Sequence, residues 1–333
     1  MKIRYFCVTL LFCGLFIYGA AALLEKVAQR TYTPASGLPA PAISDHITGQ
    51  PAATHTTPPS ADTQKPENTA RPAVKDTVVP PAQAAAFTLS PEKIKEVQGR
   101  YKNAVPSQWG EHTRGVVHKV NLPATGAPAR TLFLTINAYN NHQEELTGYL
   151  AANNVKATIF VSGYYAQYNV QALQRLSQNP LFDIGNLGNR CKPVSVAGDS
   201  AYHITGTANI YGALQEVTEG AKKIQQATGK YPTCFRSATG YIDDVAAKAI
   251  NELGIQVIGY DQVTDEGGAI SAAAIKERIL HAAHGTIIVI SINRNYPNIL
   301  KGLQNAIEDI KTNNLPVRFE KLSDYRPFFE VNR

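Results

Sequence analysis

From about residue 130 to residue 320 the chain alternates short apolar runs with amphipathic stretches, and this alternation restricts the possible folds more than any other feature. The apolar runs are TLFLTIN, KATIFVS, LFDIGN, TCFRS, QVIGYD, GTIIVISI and PVRFEKL, each of strand length. Between several of them the spacing turns helical. Ile210, Leu214, Val217, Ala221 and Ile224 share one helix face, and Gly229 stops that helix. Val245, Ala249, Ile250 and Leu253 make a second face, closed by Gly254. Ile275, Ile279 and Leu280 begin a third, and Ile299, Leu303, Ile307 and Ile310 a fourth. Strands joined through helices run parallel, because a parallel pair needs a long crossover, and the helices then cover the outside of the sheet. About seven such strands predict an α/β fold closed, or nearly closed, into a single barrel. Barrels of this kind carry function at the C-terminal ends of their strands. Those ends are Asn137, Ser162, Asn186, Arg236, Asp261 and Ser291.

What precedes the barrel is different in kind. Residues 1–24 combine a short basic head, Lys2 and Arg4, with an uncharged apolar run. About 20 apolar residues span a bilayer as a helix, which favours an uncleaved membrane anchor; the same pattern also fits a cleavable signal peptide. Either way the remainder is expected to be exported: anchored in the inner membrane facing the periplasm or cell wall, or secreted. Pro, Ala and Thr dominate residues 25–86 with no sustained apolar period, so a disordered tether with a reach of roughly 40 Å is expected there. Residues 87–128 read as an N-terminal helical extension, with Ser90 placed to cap a helix and Pro91 at its first position. Trp109 in this extension is placed to cap the bottom of the barrel, which occupies 129–333. A net charge of +6 over 333 residues is modest, and no Lys/Arg cluster interleaves with aromatics, which argues against nucleic acid. Beyond the leader only Cys191 and Cys234 remain. In an oxidising compartment they make either a disulfide or two separate buried thiols.

Several stretches, in order, resemble the polysaccharide deacetylase family, carbohydrate esterases built on a deformed (β/α) barrel. KATIFVSGYYAQ is similar to the family's KATFFVSG strand and loop, and NPLFDIGNLGNRCKP to its NPxFEIGNHxxxHP. TGKYPTCFRSATG resembles TGxxPxxFRPPYG, ELGIQVIGYD the strand after it, and HGTIIVISIN the GSIVLLHD strand. The resemblance covers roughly residues 129–329. It implies hydrolysis of acetyl groups on glycans with a bound divalent metal, commonly zinc. At the family's catalytic positions, however, other residues stand. LTINAYN puts Asn137 where the family has its Asp base and Ala138 where a second Asp often ligates. The two metal histidines fall on Leu187 and Cys191, and the histidine acid on Ser291. Arg236, which in the family orients the Asp, is kept. An amide does not take a proton from water near neutral pH, so no catalytic residue and no resident metal are expected.

The residues expected to contact a ligand are Asn137, Asn186, Cys191, Arg236, Tyr241, Asp261 and Ser291. Without a counter-charge at Asn137, a buried Arg236 calls for solvent, an anionic ligand or a new acid such as Asp183, Asp261 or Asp265. His142, His203 and Cys191 form a conceivable relocated metal cluster. Tyr139, Tyr164, Tyr165 and Tyr241 follow strand ends and either line a glycan cleft or pack loops. His281 and His284 read as closing a helix. The expected partner is an N-acetylated envelope polysaccharide, or an enzyme acting on one. An active hydrolase with a rearranged site and a scaffold subunit are the alternatives.

Overall fold

Residues 89–123, 129–140, 144–264, 270–291 and 296–331 of the computed structural model are described below. The expected anchor and tether, with His142 and Asp265, lie outside them. Among the described residues no helix is long and apolar enough to cross a membrane.

Helix α1 (Pro91–Tyr101) begins as its sequence dictates, with the Ser90 hydroxyl accepting the Lys93 N–H. Two short strands, β1 (Trp109–Gly110) and β2 (Val117–Val120), complete the extension. The alternation then follows: β3 (Arg130–Ala138), α2 (Glu144–Ala152), β4 (Ala157–Val161), α3 (Gly163–Tyr168), α4 (Val170–Gln178) and β5 (Phe182–Asn186). After a hairpin of β6 (Ser200–Ala201) and β7 (Ile204–Thr205) come α5 (Ile210–Thr228), β8 (Cys234–Phe235), β9 (Ile242–Asp243) and α6 (Asp244–Glu252). The last part holds β10 (Gln256–Val257), β11 (Gln262–Val263), α7 (Ala272–His281), β12 (Ile287–Ser291), α8 (Tyr296–Thr312), β13 (Val317–Phe319) and β14 (Phe329–Val331).

Seven parallel strands follow one another in the order β10, β8, β5, β4, β3, β12, β11, and β13 pairs with the first residues of β3. The sheet curls into the deformed (β/α) barrel. Its two ends are one piece of chain. Of QVIGYD, expected as one strand, only Gln256–Val257 form one, paired with β8; the chain runs on to Gln262–Val263, just past that stretch, which pair with β12. Asp261 therefore does not end a strand. Its N–H donates to the Ile287 carbonyl, and its exposed carboxylate accepts the Thr286 hydroxyl just before β12.

Alternation along the strands divides the core in two. On β3, Leu132, Leu134 and Ile136 face the helices, while Phe133 faces the barrel interior with Phe160, Leu187, Ile258 and Ile287. All three outward residues have no exposed surface, so each contributes about 1.5–3 kcal/mol of burial. Gly185 faces inward on β5, where a Cβ would stand 2.6 Å from the Phe160 ring, so this glycine makes room for the aromatic. Strand β14 pairs antiparallel with β2, which bridges to Ile258 and Thr286, so the chain's two extensions are tied together against the barrel wall. His281 ends α7, its Nδ1 lying 2.9 Å from the Glu277 carbonyl. His284 lies past the helix end, and its Nδ1 takes the Thr131 N–H instead.

Candidate functional site

The strand ends converge on Arg236. It follows β8, is 1% exposed, and extends its guanidinium across the barrel interior. Nη1 donates to the Thr135 hydroxyl at 2.8 Å and the Asn137 side-chain oxygen at 3.1 Å. Nη2 donates to the Gly259 carbonyl at 2.6 Å and Nε to the Ile258 carbonyl at 3.3 Å. The Phe160 ring lies under it, 4.3 Å from ring centroid to guanidinium carbon. Burial holds its pKa down to about 9, so the group remains a cation at neutral pH. Among the described residues no carboxylate pairs with it. Asp183 instead meets Lys321 at 3.5 Å and the Ser323 N–H, and Asp261 takes the Thr286 hydroxyl. Four neutral oxygens and an aromatic face surround the guanidinium instead.

The loop after β5 is built around two buried polar side chains. Asn186, with no exposed surface, donates to the Val217 carbonyl and accepts the Gly188 N–H. Glu216 reaches out of α5, 5% exposed, and one carboxylate oxygen accepts the N–H groups of Arg190 and Lys192. Burial pushes its pKa up, against the lowering pull of those two N–H groups. Cys191 is thereby fixed between its neighbours in left-handed backbone, φ +57°. Its thiol meets the Ser162 hydroxyl, and burial pushes it up to about 12. Ser162 also caps α3 and donates to the Tyr139 carbonyl.

Cys191 and Cys234 are free, in keeping with the second of the two readings, separate thiols rather than a disulfide. Two different environments hold them. Cys234 lies toward the opposite end of the barrel, its Sγ 3.9 Å from Arg326, on a cavity of about 170 Å³ that Asp183, Thr158 and Leu322 also line. The strands β5 and β8 share a single paired position, Asn186 with Phe235, and this cavity fills the gap they leave.

The remaining expected residues lie at the rim. Ser291 ends β12 level with Asn137. Tyr139 donates to the Ala238 carbonyl, Tyr164 is exposed, and Tyr165 is buried in the helix-side core. Tyr241 packs against two rings that its sequence position does not announce. Trp109 lies with its ring centroid 5.7 Å away, and Tyr202 meets it edge-on at 5.5 Å. Trp109 is thus at the β8 side of the mouth and not at the bottom of the barrel, because β1 pairs with β9 after the Arg236 loop. Tyr202 sits at the tip of the β6–β7 hairpin and donates to Glu111. His203 beside it is exposed. His112 and His118 lie with ring centroids 4.6 Å apart and planes tilted by 41°, and His118 Nδ1 faces the Tyr260 carbonyl.

A divalent metal needs donor atoms, and those present do not suit one. Ala138 and Leu187 have none, and Leu187 is packed into the barrel interior without exposed surface. The Asn137 oxygen is engaged by Arg236, and the Cys191 thiol is protonated at neutral pH and so is a poor ligand. Among the described residues no three His, Cys, Asp or Glu side chains converge to hold an ion. A catalytic zinc takes about three protein ligands, and this floor does not supply them.

Residues 125–258 match the family model described as polysaccharide deacetylase. No curated protein matches the chain by sequence. Among solved structures, the family 4 carbohydrate esterase PdaA of Bacillus subtilis is 16% identical, over 70% of this chain and 88% of that one, with a TM-score of 0.51. The Bc1960 peptidoglycan N-acetylglucosamine deacetylase is 18% identical over 62% and 96%, TM-score 0.50. BA3943, a CE4 family pseudoenzyme from Bacillus anthracis, is 15% identical over 60% and 66%, TM-score 0.48. The barrel agrees with the first two in fold, and the family match runs from just before β3 through the Arg236 strand to β10. By that match residues 125–258 of the chain carry a polysaccharide deacetylase domain.

Proposed function

We propose that this protein is a catalytically degenerate member of its family, exported and held near the envelope, that binds an uncharged N-acetylated polysaccharide without hydrolysing it. One observation carries the reading. Arg236 is paired with the neutral Asn137 and backbone carbonyls, so the barrel floor holds a cation and no general base. Asn137 at 4% exposed, Leu187 at 0% and Arg236 at 1% are themselves closed to a bound glycan. The substrate named for one structural neighbour, peptidoglycan N-acetylglucosamine, supplies the glycan class to try. Residues 1–86 supply the expected export and tether.

The test is acetate release from N-acetylglucosamine oligomers and peptidoglycan by the full chain, with zinc, cobalt or manganese added and thiols kept reduced. The same preparation is assayed for retention on the insoluble glycan and for bound metal after desalting. Retention without acetate and with near-zero metal is expected. Metal-dependent acetate release would establish a working hydrolase instead. Neither acetate nor retention would leave the barrel as a scaffold.

A further inference from the structure

We infer that Trp109, Tyr202 and Tyr241 form a stacking ledge on which an uncharged polysaccharide strand lies, at the rim of the barrel and beside the buried Arg236 cluster. This rests on the glycan-binding reading above and assigns its place and its charge preference. Three separate stretches of chain build the ledge. Strand β1 brings in Trp109 by pairing with β9, with Trp109 opposite Asp243 and Gly110 opposite Ile242. The loop after Arg236 supplies Tyr241, and the β6–β7 hairpin lays Tyr202 over from the opposite side. Trp109 and Tyr241 are half-buried, whereas Tyr202 is 65% exposed. An aromatic residue so open is ordinarily a mobile side chain. This one is held by its ring contact and by donation of its hydroxyl to Glu111 at 3.0 Å. Both residues of the hairpin turn, Tyr202 and His203, adopt left-handed backbone at φ +52° and +62°, a conformation uncommon for bulky residues.

The chemistry of these groups selects the ligand. Rigid aromatic faces with one polar tip bind flat, amphipathic surfaces at low entropic cost, and the face of a pyranose ring is such a surface. Glu111 also receives the Tyr260 hydroxyl, so its carboxylate is fixed at the edge of the ledge. Burial, followed by that acid, pushes the Tyr202 phenol up, so it stays a donor. A carboxylate there accepts sugar hydroxyls and repels uronate or phosphate groups. The floor beside it is closed, since Asn137, Leu187 and Arg236 are buried, so a glycan meets the rim and goes no deeper.

Trp109 is the chain's single tryptophan, and its emission reports on the ledge alone. The full chain is titrated with chitotetraose, and separately with an oligogalacturonate of similar length, by fluorescence and by calorimetry. A saturable change in emission is expected with the first and none with the second. Tyr202→Ala, at an exposed position, is expected to weaken binding about tenfold with unchanged circular dichroism. Trp109→Phe should keep most of the affinity, and Glu111→Gln should admit the anionic oligomer. Calorimetric binding of chitotetraose with no change in emission and full affinity in Tyr202→Ala places the glycan elsewhere; it overturns the ledge and leaves the binding reading standing. Tighter binding of the anionic oligomer overturns the charge preference. No heat and no emission change with any oligomer overturns the ledge together with the reading beneath it.

Discussion

Arg236 carries a full charge while only 1% exposed and, among the described residues, without a carboxylate partner, and its neighbours show how that is tolerated. Donation to four neutral oxygens and contact with the Phe160 face replace an ion pair. A carboxylate in place of the Asn137 amide would do better, because the cation is already desolvated and only one further group needs burying. Asn137→Asp is therefore expected to raise the unfolding free energy at pH 7 by about 1–3 kcal/mol. The guanidinium would hold the new carboxyl below the usual range of about 4. The gain is then present above that range and lost as pH falls through the lowered folded value. Urea titrations at pH 7 and pH 3 check this, and a variant less stable than wild type at pH 7 refutes it. Glu216 behaves in the opposite sense. Its raised folded pKa means that stability is greatest when the group is protonated and declines as pH rises through the folded value. Glu216→Gln keeps an acceptor for the Arg190 and Lys192 amides without the charge. We expect a higher Tm at pH 7 and a smaller change between pH 4 and pH 7. Asn137 and Arg236 could be brought together from the sequence motifs. The carbonyls of Ile258 and Gly259 could not, since their position depends on where β10 leaves off.

At the scale of elements, the runs expected as strands became strands because each is long or apolar enough to show its period, β3 most clearly. The short ones were not legible. Two paired residues, as in β1, β6, β7, β9 and β11, have no period to read, and only their partners define them. Trp109 was misplaced, and Tyr202 and Glu111 overlooked, for this reason. Of the ledge only Tyr241, in the loop after Arg236, was in view from the motifs; Trp109 and Tyr202 lie on or beside such minor elements. The strap of β2 and β14 was equally hidden. It depends on Gly285, whose φ of +83° and whose position, with a Cβ 2.1 Å from the Val120 carbonyl, admit no side chain. Gly285→Ala is expected to cost at least about 2–3 kcal/mol and to detach β2 from β12. Hydrogen exchange is the measurement: Val120, whose N–H donates to the Gly285 carbonyl, should lose protection while β4 keeps it.

For the molecule as a whole, the barrel was legible because its strand–helix period repeats, and the altered floor because it lies at strand ends. The manner of closure was not, since β11 lies just past the stretch read as a strand and is only two residues long. The segment joining both ends of the sheet has a consequence for biosynthesis. The family match ends at Ile258, within residues 256–263, after they have met β8 and before they reach β12. A nascent chain therefore completes every recognisable motif up to β10 while the far edge of β3 still awaits β12. Open edges of apolar parallel strands invite pairing with other chains. A fragment ending at residue 263 is expected to aggregate during expression, whereas the chain through residue 331 stays dispersed in ultracentrifugation. Equal behaviour of the two would show that closure is dispensable. If closure is needed, the barrel locks late in synthesis, only once β12 has emerged.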